Sequence, residues 1–325
     1  MSPRVGFLGT GWIGRHRMAA VAETGAMEIV GYTDPSDESA REAAAVAPRA
    51  ARVDALDELL ALDLDGVVIA TPSAQHAAQS IQVLKAGAAV FCQKPLGRTA
   101  AEVDNVIAAA RAADRLLGVD LSYRHTAAAE AIAALLREGA LGCVFAADLV
   151  FHNAYGPDKP WFYDAALSGG GCVIDLGVHL VDLALWLLGF PPTSDVTAQL
   201  RAGGEPLQPG SVEDYATATF RAGNVDVRLA CSWRLHAGQE AVIEAAFYGT
   251  NGGAALRNVN GSFYDFTAER FDGTRREALV VPPDDWGGRA AAAWARQLAQ
   301  SSAFDPSAEQ FGASATVLDR IYGRP

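Results

Sequence analysis

Residues 5–34 leave this chain few folds to choose from. Val5-Gly6-Phe7-Leu8 is a short apolar run, and it ends in Gly9-Thr10-Gly11-Trp12-Ile13-Gly14. A helix-like stretch follows to about Glu23. Glu28-Ile29-Val30-Gly31-Tyr32-Thr33 is then a second strand, closed by Asp34-Pro35. A G-x-G-x-x-G motif carries weight only in this setting, after a strand and before a helix in a β-α-β unit. Glycine permits the tight turn and lets the backbone approach a pyrophosphate. The helix N-terminus offers unpaired N–H groups and a favourable dipole. Asp34 lies 20 residues beyond Gly14, where a carboxylate can accept hydrogen bonds from an adenosine ribose diol. Dinucleotide binding is therefore expected, with Gly9, Gly11, Trp12, Ile13, Gly14 and Asp34 on the cofactor. The alternative is a glycine turn with a helix-capping aspartate.

The alternation continues. Asp65 to Ala70 is a buried-type strand ending in Thr71-Pro72-Ser73, and Ser73 is expected to cap a helix running to about Lys85. Ala88 to Cys92 is the next strand, ending in Gln93-Lys94-Pro95. Thr99 should cap a helix over 100–113, and Leu116 to Val119 is another strand. Strands alternating with helices imply a doubly wound parallel sheet of Rossmann type over residues 1–120. Ligands of such sheets bind beyond the carboxyl ends of the strands. Thr71, Pro72, Ser73, Gln93 and Lys94 should thus join the glycine loop in one cleft. Lys94, held by the rigid backbone of Pro95, is a candidate for proton transfer, since a nearby positive nicotinamide ring would depress its pKa. A solvated turn lysine is the alternative. His76, on the following helix, is either a cofactor-side group or a cap or surface residue.

The chain has 325 residues, more than one average domain of about 100–200 residues. Hydrophobic residues make up 50% and charged residues 20%, which suits globular cores. The net charge of −12, with no basic cluster, disfavours nucleic acid and anionic membranes as partners. Cys92, Cys143, Cys172 and Cys231 are far apart and show no metal-finger spacing. They read as reduced, mostly buried thiols of a cytoplasmic protein, and no metal is expected. No signal peptide is apparent, and no apolar run approaches about 18 residues.

Residues 121–325 read as a second domain of α+β type. A helix over roughly 126–138 ends at Gly139, and Val144 to Phe151 is a strand. Its exit, residues 152–161, is polar and aromatic. Asn153, Tyr155, Lys159 and Trp161 supply the hydrogen-bonding and stacking groups that hydroxyl-rich ligands favour; ordinary surface loop roles are the alternative. Arg124 has either a substrate role or a structural ion-pair role. Gly169-Gly170-Gly171 then leads, as a flexible loop, into an apolar helix over about 173–188. There Leu176, Leu180, Leu183 and Leu187 share one face, and Asp175 and His179, four apart, share another. Asp182 lies three beyond His179. A carboxylate, an imidazole and a second carboxylate at the front of one helix make a candidate proton-handling site.

From residue 193 the pattern is successive strands: Val196 to Arg201, Tyr215 to Phe220, Val225 to Trp233, Ala241 to Tyr248, Gly253 to Arg257, Ser262 to Thr267 and Ala278 to Val281. No crossover helices fit between them, so the sheet should be open and mostly antiparallel. One face packs on the two helices, and the other needs water or a partner. Trp286 reads as a core residue, with a place at the border of the site as the alternative. Helices follow over about 290–300 and from Pro306 to about 322, and the last of these is a candidate to pack back on the first domain.

In order and spacing, these motifs resemble the Gfo/Idh/MocA family, the glucose–fructose oxidoreductase and inositol dehydrogenase group. The matching pieces are Gly9 to Gly14, Ala70-Thr71-Pro72 with His76, Lys94-Pro95, and Gly169-Gly170-Gly171 through Asp175 and His179. The resemblance implies a nicotinamide dinucleotide, a sugar-like or polyol substrate, and a homodimer or homotetramer packed through the open sheet. It also places Lys94, Asp175 and His179 at the family's catalytic positions and, with them, the substrate. Gln93 departs from the family, which usually has Glu there; the amide keeps hydrogen-bonding capacity without the charge.

The expected activity is NAD-dependent oxidation of a secondary alcohol of a sugar, sugar derivative or cyclitol, with His179 taking the hydroxyl proton. Asp175 or Asp182 would orient the imidazole, or Asp175 would bind a substrate hydroxyl, and Lys94 would assist at the developing alkoxide. NAD is expected over NADP because Asp34 would repel a 2′-phosphate, although Arg15 and Arg41 lie near in sequence. A redox-cycling lyase, epimerase or glycosidase with tightly bound NAD is one alternative. A non-catalytic dinucleotide-sensing regulator is another.

Overall fold

In the computed structural model, which describes residues 2–324, the chain divides into two compact units. The first runs to Asp120 and takes in Gly287–Gly312; the second holds Leu121–Trp286 and the residues from Ala313 on.

The first unit is built on six strands: β1 Arg4–Leu8, β2 Glu28–Thr33, β3 Ala51–Arg52, β4 Gly66–Ile69, β5 Ala89–Cys92 and β6 Leu117–Val119. Their order is β3-β2-β1-β4-β5-β6, and every pairing is parallel. The order reverses between β1 and β4, so their carboxyl ends open the crevice where doubly wound sheets bind ligands. β4 and β5 are buried at every position, as a parallel sheet covered on both faces requires. Thr99 caps the helix Ala100–Ala113 by accepting a hydrogen bond from the Glu102 N–H at 3.2 Å. Ser73 does not cap the helix Ser73–Lys85. Pro72 is the cap residue, so the Ser73 hydroxyl lies within the first turn and makes no capping bond.

Residues 287–312 belong to this unit rather than to the second, where chain order alone had placed them. The helix Arg289–Gln300 carries Trp294 and Leu298 on its buried face. A Cβ on Gly66 of β4 would meet Leu298 at 2.8 Å and Trp294 at 2.9 Å, and one on Gly118 of β6 would meet Trp294 at 2.8 Å. The two glycines make room for the indole, which also packs on Phe91 with ring centroids 5.7 Å apart.

The second unit carries nine strands: β7 Val144–Asn153, β8 Thr193–Ala202, β9 Glu205–Pro206, β10 Tyr215–Ala222, β11 Val225–Ser232, β12 Ala241–Gly249, β13 Gly252–Asn258, β14 Phe266–Asp272 and β15 Arg275–Val280. The order is β15-β14-β13-β12-β7-β11-β10-β8-β9. Only β7 with β11 is parallel; the remaining pairings are antiparallel. The strand expected at Ser262 to Thr267 starts at Phe266 instead. Ser262 closes a turn there, its hydroxyl accepting from the N–H groups of Tyr264 and Asp265.

One face of this sheet packs on the helices Ala127–Arg137 and Val178–Leu187 through side chains such as Ala147, Leu149, Phe151 and Leu229. The opposite face is polar. Arg228 donates twice to Asp148, at 2.7 and 2.8 Å, and the hydroxyls of Thr197 and Thr219 lie 2.8 Å apart. Against the expectation of no apolar run of membrane-spanning length, the segment Ala165–Leu187, broken by bends at 169–171, contains an 18-residue window with a mean hydropathy of 1.6. Of its most apolar 18-residue window, 83% is buried inside the protein, as expected of a core helix.

Candidate active site

In the first unit the cofactor-side candidates gather at the carboxyl ends of β1, β2, β4 and β5. A Cβ on Gly9 (φ +87°) would strike the carbonyl of Ala70 at 2.6 Å, and one on Gly14 the carbonyl of Gly9 at 2.2 Å. Both glycines are needed to bring the β1 turn against the end of β4. Gly11 differs: a Cβ there would meet nothing within 4 Å. It also precedes the helix Trp12–Glu23 without offering a capping side chain. The first N–H groups of that helix are thus left for an anion such as a pyrophosphate. Trp12 beside them is 62% exposed. The residues present fit a dinucleotide.

Asp34 ties the same loop to β2, accepting from the Thr10 N–H at 2.6 Å and from the Ser36 N–H at 2.8 Å. A carboxylate has about four lone-pair sites, so two remain for ribose hydroxyls. Arg15 is ion-paired with Glu42 at 2.6 Å, and Arg41 donates to the Asp37 carbonyl at 3.3 Å. Arg52, which the motif gave no reason to single out, donates to the Asp34 carbonyl at 3.4 Å and pairs with Asp37 at 2.7 Å.

His76 is 1% exposed. Its Nδ1 lies 2.7 Å from the Pro95 carbonyl and its Nε2 2.6 Å from that of Thr71. The ring therefore ties the turn after β4 to the turn that carries Lys94. Burial, with a smaller contribution from the Lys94 charge, holds its pKa below the ordinary value, against the two carbonyl contacts. Gln93 is buried and donates from its amide to Asp120, which also pairs with Arg17. A glutamate at position 93 would place a second carboxylate against Asp120.

In the second unit the helical run after the triple glycine begins with a π-turn, Val173–Gly177, and continues as the α-helix Val178–Leu187. π-turns inside helices occur frequently at functional sites. Over residues 171–185, Asp175 and His179 alone are not buried. Asp175 accepts from the Trp233 indole N–H at 3.0 Å. Trp233, at the end of β11, and Tyr123 are residues the sequence patterns did not single out. The Tyr123 ring lies 4.8 Å from that of His179, and Phe151 follows at 6.4 Å. Burial, and then the charge of Asp175, push the Tyr123 hydroxyl well above its ordinary pKa.

Asp182 and Arg124 hold each other. Arg124 donates to both carboxylate oxygens, at 2.7 and 2.5 Å, and Asp182 is 2% exposed. The structural ion pair is thus the Arg124 role that is visible, and Asp182 faces it rather than standing ready to orient an imidazole. Asn153 ends β7 with its Oδ1 buried. Tyr155 is exposed and reaches Glu240 at 3.4 Å, Lys159 pairs with Asp158 at 3.2 Å, and Trp161 stacks on Phe162. Trp286 is core, its indole donating to the Tyr264 carbonyl.

Residues 3–121 match the oxidoreductase family with an NAD-binding Rossmann fold, and residues 129–255 match the GFO/IDH/MocA C-terminal domain. The chain belongs to the Gfo/Idh/MocA family. Among its relatives is a D-apiose dehydrogenase of Paraburkholderia graminis, 29% identical over 86% of this chain and 73% of the relative. The D-glucoside 3-dehydrogenase of Escherichia coli (strain K12) is 28% identical over 61% of this chain, and the match spans 60% of that protein's length. In fold, this Gfo/Idh/MocA chain is similar to a levoglucosan dehydrogenase solved with NADH and levoglucosan. The TM-score is 0.83 at 22% identity, with 99% of this chain and 96% of the other covered.

Proposed function

We propose that this chain is an NAD-dependent dehydrogenase that oxidises a secondary alcohol of a sugar, sugar derivative or cyclitol. The observation that carries the reading is the helix after the triple glycine, where Asp175 and His179 are partly accessible while their neighbours from 171 to 185 are buried. A carboxylate and an imidazole four residues apart on a buried helix are suited to handling a hydroxyl proton. His179 accepts that proton. Asp175, anchored by Trp233, binds a neighbouring hydroxyl or orients the imidazole. Lys94 stabilises the developing alkoxide or relays the proton. Asn153, Tyr155, Lys159 and Trp161 supply hydrogen bonds and a stacking face for the polyol.

NAD, when bound, supplies the hydride acceptor. Gly9, Gly11, Trp12, Ile13, Gly14 and the first turn of Trp12–Glu23 would hold its pyrophosphate. Asp34 would hold its adenosine ribose, and Thr71, Pro72, Ser73 and Gln93 would border the rest. The pairing of Arg15 with Glu42 supports NAD over NADP. Relatives named as dehydrogenases of glucosides, apiose and inositol support the substrate class. We place the protein in the cytoplasm as a homo-oligomer. A spectrophotometric screen of inositols, pyranoses and glycosides with NAD and NADP tests the reading. Net formation of reduced nicotinamide with one of them is expected. Conversion of a glycoside without net reduction would replace the dehydrogenase by the redox-cycling enzyme, and tight NAD binding without turnover of any of them by the sensing regulator.

A further inference from the structure

The helix that carries Asp175 starts without a cap of its own. Residues 169–171 are all glycine, so no side chain there can accept from the unpaired N–H groups at its front. One residue far away in sequence does so. Glu213 lies in the segment that leads into β10 and is fully buried. Its carboxylate accepts from the Gly171 N–H at 2.9 and 3.0 Å and from the Val173 N–H at 3.0 Å. Its main-chain carbonyl accepts from the Cys172 N–H at 3.1 Å. Three successive N–H groups are satisfied by a single residue.

A second brace comes from the C-terminal end of the chain. The Tyr322 hydroxyl donates to the same Glu213 oxygen at 2.6 Å, and Arg324 donates to the Gly169 carbonyl at 2.5 Å while lying over the Tyr322 ring. This packing also accounts for the glycines. A Cβ on Gly170 (φ +157°) would meet the Tyr322 hydroxyl at 2.1 Å, and one on Gly171 the Glu213 carbonyl at 1.8 Å. The triple glycine, expected to be a flexible loop, is a fitted joint.

We propose that Glu213, braced by Tyr322, is a positioning residue that fixes Asp175 by clamping the three residues in front of the π-turn. Asp175 is two residues beyond Val173, and its own N–H donates to the Gly171 carbonyl at 3.0 Å, so both ends of the short link are held through Gly171. The inference rests on the dehydrogenase reading for the role of Asp175, but the clamp itself does not. Glutamine at 213 is nearly isosteric, yet it removes the charge that the helix N-terminus favours. It also turns one acceptor into an NH₂ group facing the Gly171 N–H.

The test uses the full-length protein and the variants Glu213→Gln, Asp175→Asn, their combination and Tyr322→Phe. Displacement of a catalytic group by about 1 Å can cost on the order of 10²-fold in rate. Glu213→Gln should therefore lower kcat by about that factor, with NAD affinity, read by fluorescence quenching, unchanged. In the Asp175→Asn background the same change should add little, since the positioned group is already gone. A readout independent of turnover is native-state alkylation of Cys172, followed peptide by peptide. Cys172 is fully buried beneath the clamp; it should label faster in Glu213→Gln while buried Cys92 in the first unit stays protected. Wild-type kcat with Cys172 still protected overturns the proposal, as do strictly multiplicative losses in the double variant. If no substrate is found, the alkylation arm decides the clamp alone, and protection in Glu213→Gln sinks it. If Glu213→Gln does not fold, Tyr322→Phe, which keeps the carboxylate and removes one donor, takes its place with smaller shifts in the same directions.

Discussion

At the scale of single residues, the predictions concern protons and charge. Positioned proton transfer is worth about 10²–10⁴-fold in rate. Lys94→Ala and His179→Ala should each lower kcat by that order, with NAD binding retained because the glycine loop and Asp34 are untouched; a near-wild-type kcat in either variant would remove that residue from the mechanism. Asp34 should decide the cofactor. Wild-type catalytic efficiency should favour NAD, and Asp34→Ala should narrow the gap, because it removes the charge that repels a 2′-phosphate and leaves Arg52 nearby; equal efficiency with both cofactors in the wild type would refute this. His76 gives a pH dependence. Burial holds its folded pKa below the ordinary 6.5, so below about pH 6.5 the unfolded chain takes up a proton that the folded chain resists. Urea stability should then fall as pH drops through that range and hold level above it. In His76→Gln this part of the slope should vanish; an identical pH profile for the two proteins would contradict it.

Elements are decided by a few contacts each. The π-turn and helix from Val173 to Leu187 are held at the front by contacts from Glu213 and along the side by leucines. Gly171→Ala forces a methyl to 1.8 Å from the Glu213 carbonyl, a form of overpacking that costs about 1–3 kcal/mol. Urea unfolding should register that loss together with a fall in kcat. The positions of the helices and most strands were legible because apolar periodicity and caps such as Thr99 act locally. Ser73 and Ser262 were misread for the same reason. Serine caps helices and also closes turns, and the choice depends on where the neighbouring backbone turns. The helix after the triple glycine was legible, but its start as a π-turn was not, since nothing in Val173-Ile174-Asp175-Leu176-Gly177 distinguishes it from an α-turn.

For the whole molecule, the nine-stranded sheet leaves a question of cover. Its outer face presents Asp148, Thr197, Thr219 and Arg228 around a shallow concavity. The homo-oligomer proposed above would cover this face with a second copy, and the expected particle is then a dimer or tetramer of the 34.1 kDa chain. Light scattering should give a mass at least twice that of one chain, and Thr219→Arg should reduce it; a wild-type monomer at micromolar concentration would exclude the arrangement. The first unit is completed by the helix Arg289–Gln300, which enters after the second sheet has been built.

By itself, the sequence determined the alternation of strand and helix, the glycine turn with its spaced acid, the change to antiparallel strands after residue 193, and the placing of Asp175 and His179 on one helical run. Each follows from residues near one another in the chain, where period and steric limits act directly. Tertiary structure alone decided the partners. Asp182 could equally have faced His179 or Arg124 until Arg124 was seen to take both of its oxygens. His76 read as a cofactor-side group or a cap, but its ring lies between the carbonyls of Thr71 and Pro95. Trp233, Tyr123 and Glu213 carry no local signal at all, because their roles lie in contacts across 40 to 58 residues of chain: 58 from Trp233 to Asp175, 56 from Tyr123 to His179 and 40 from Glu213 to Val173. Hydrogen bonds and packing are short-ranged in space and indifferent to sequence separation, so only the folded chain reveals which distant group satisfies a buried one.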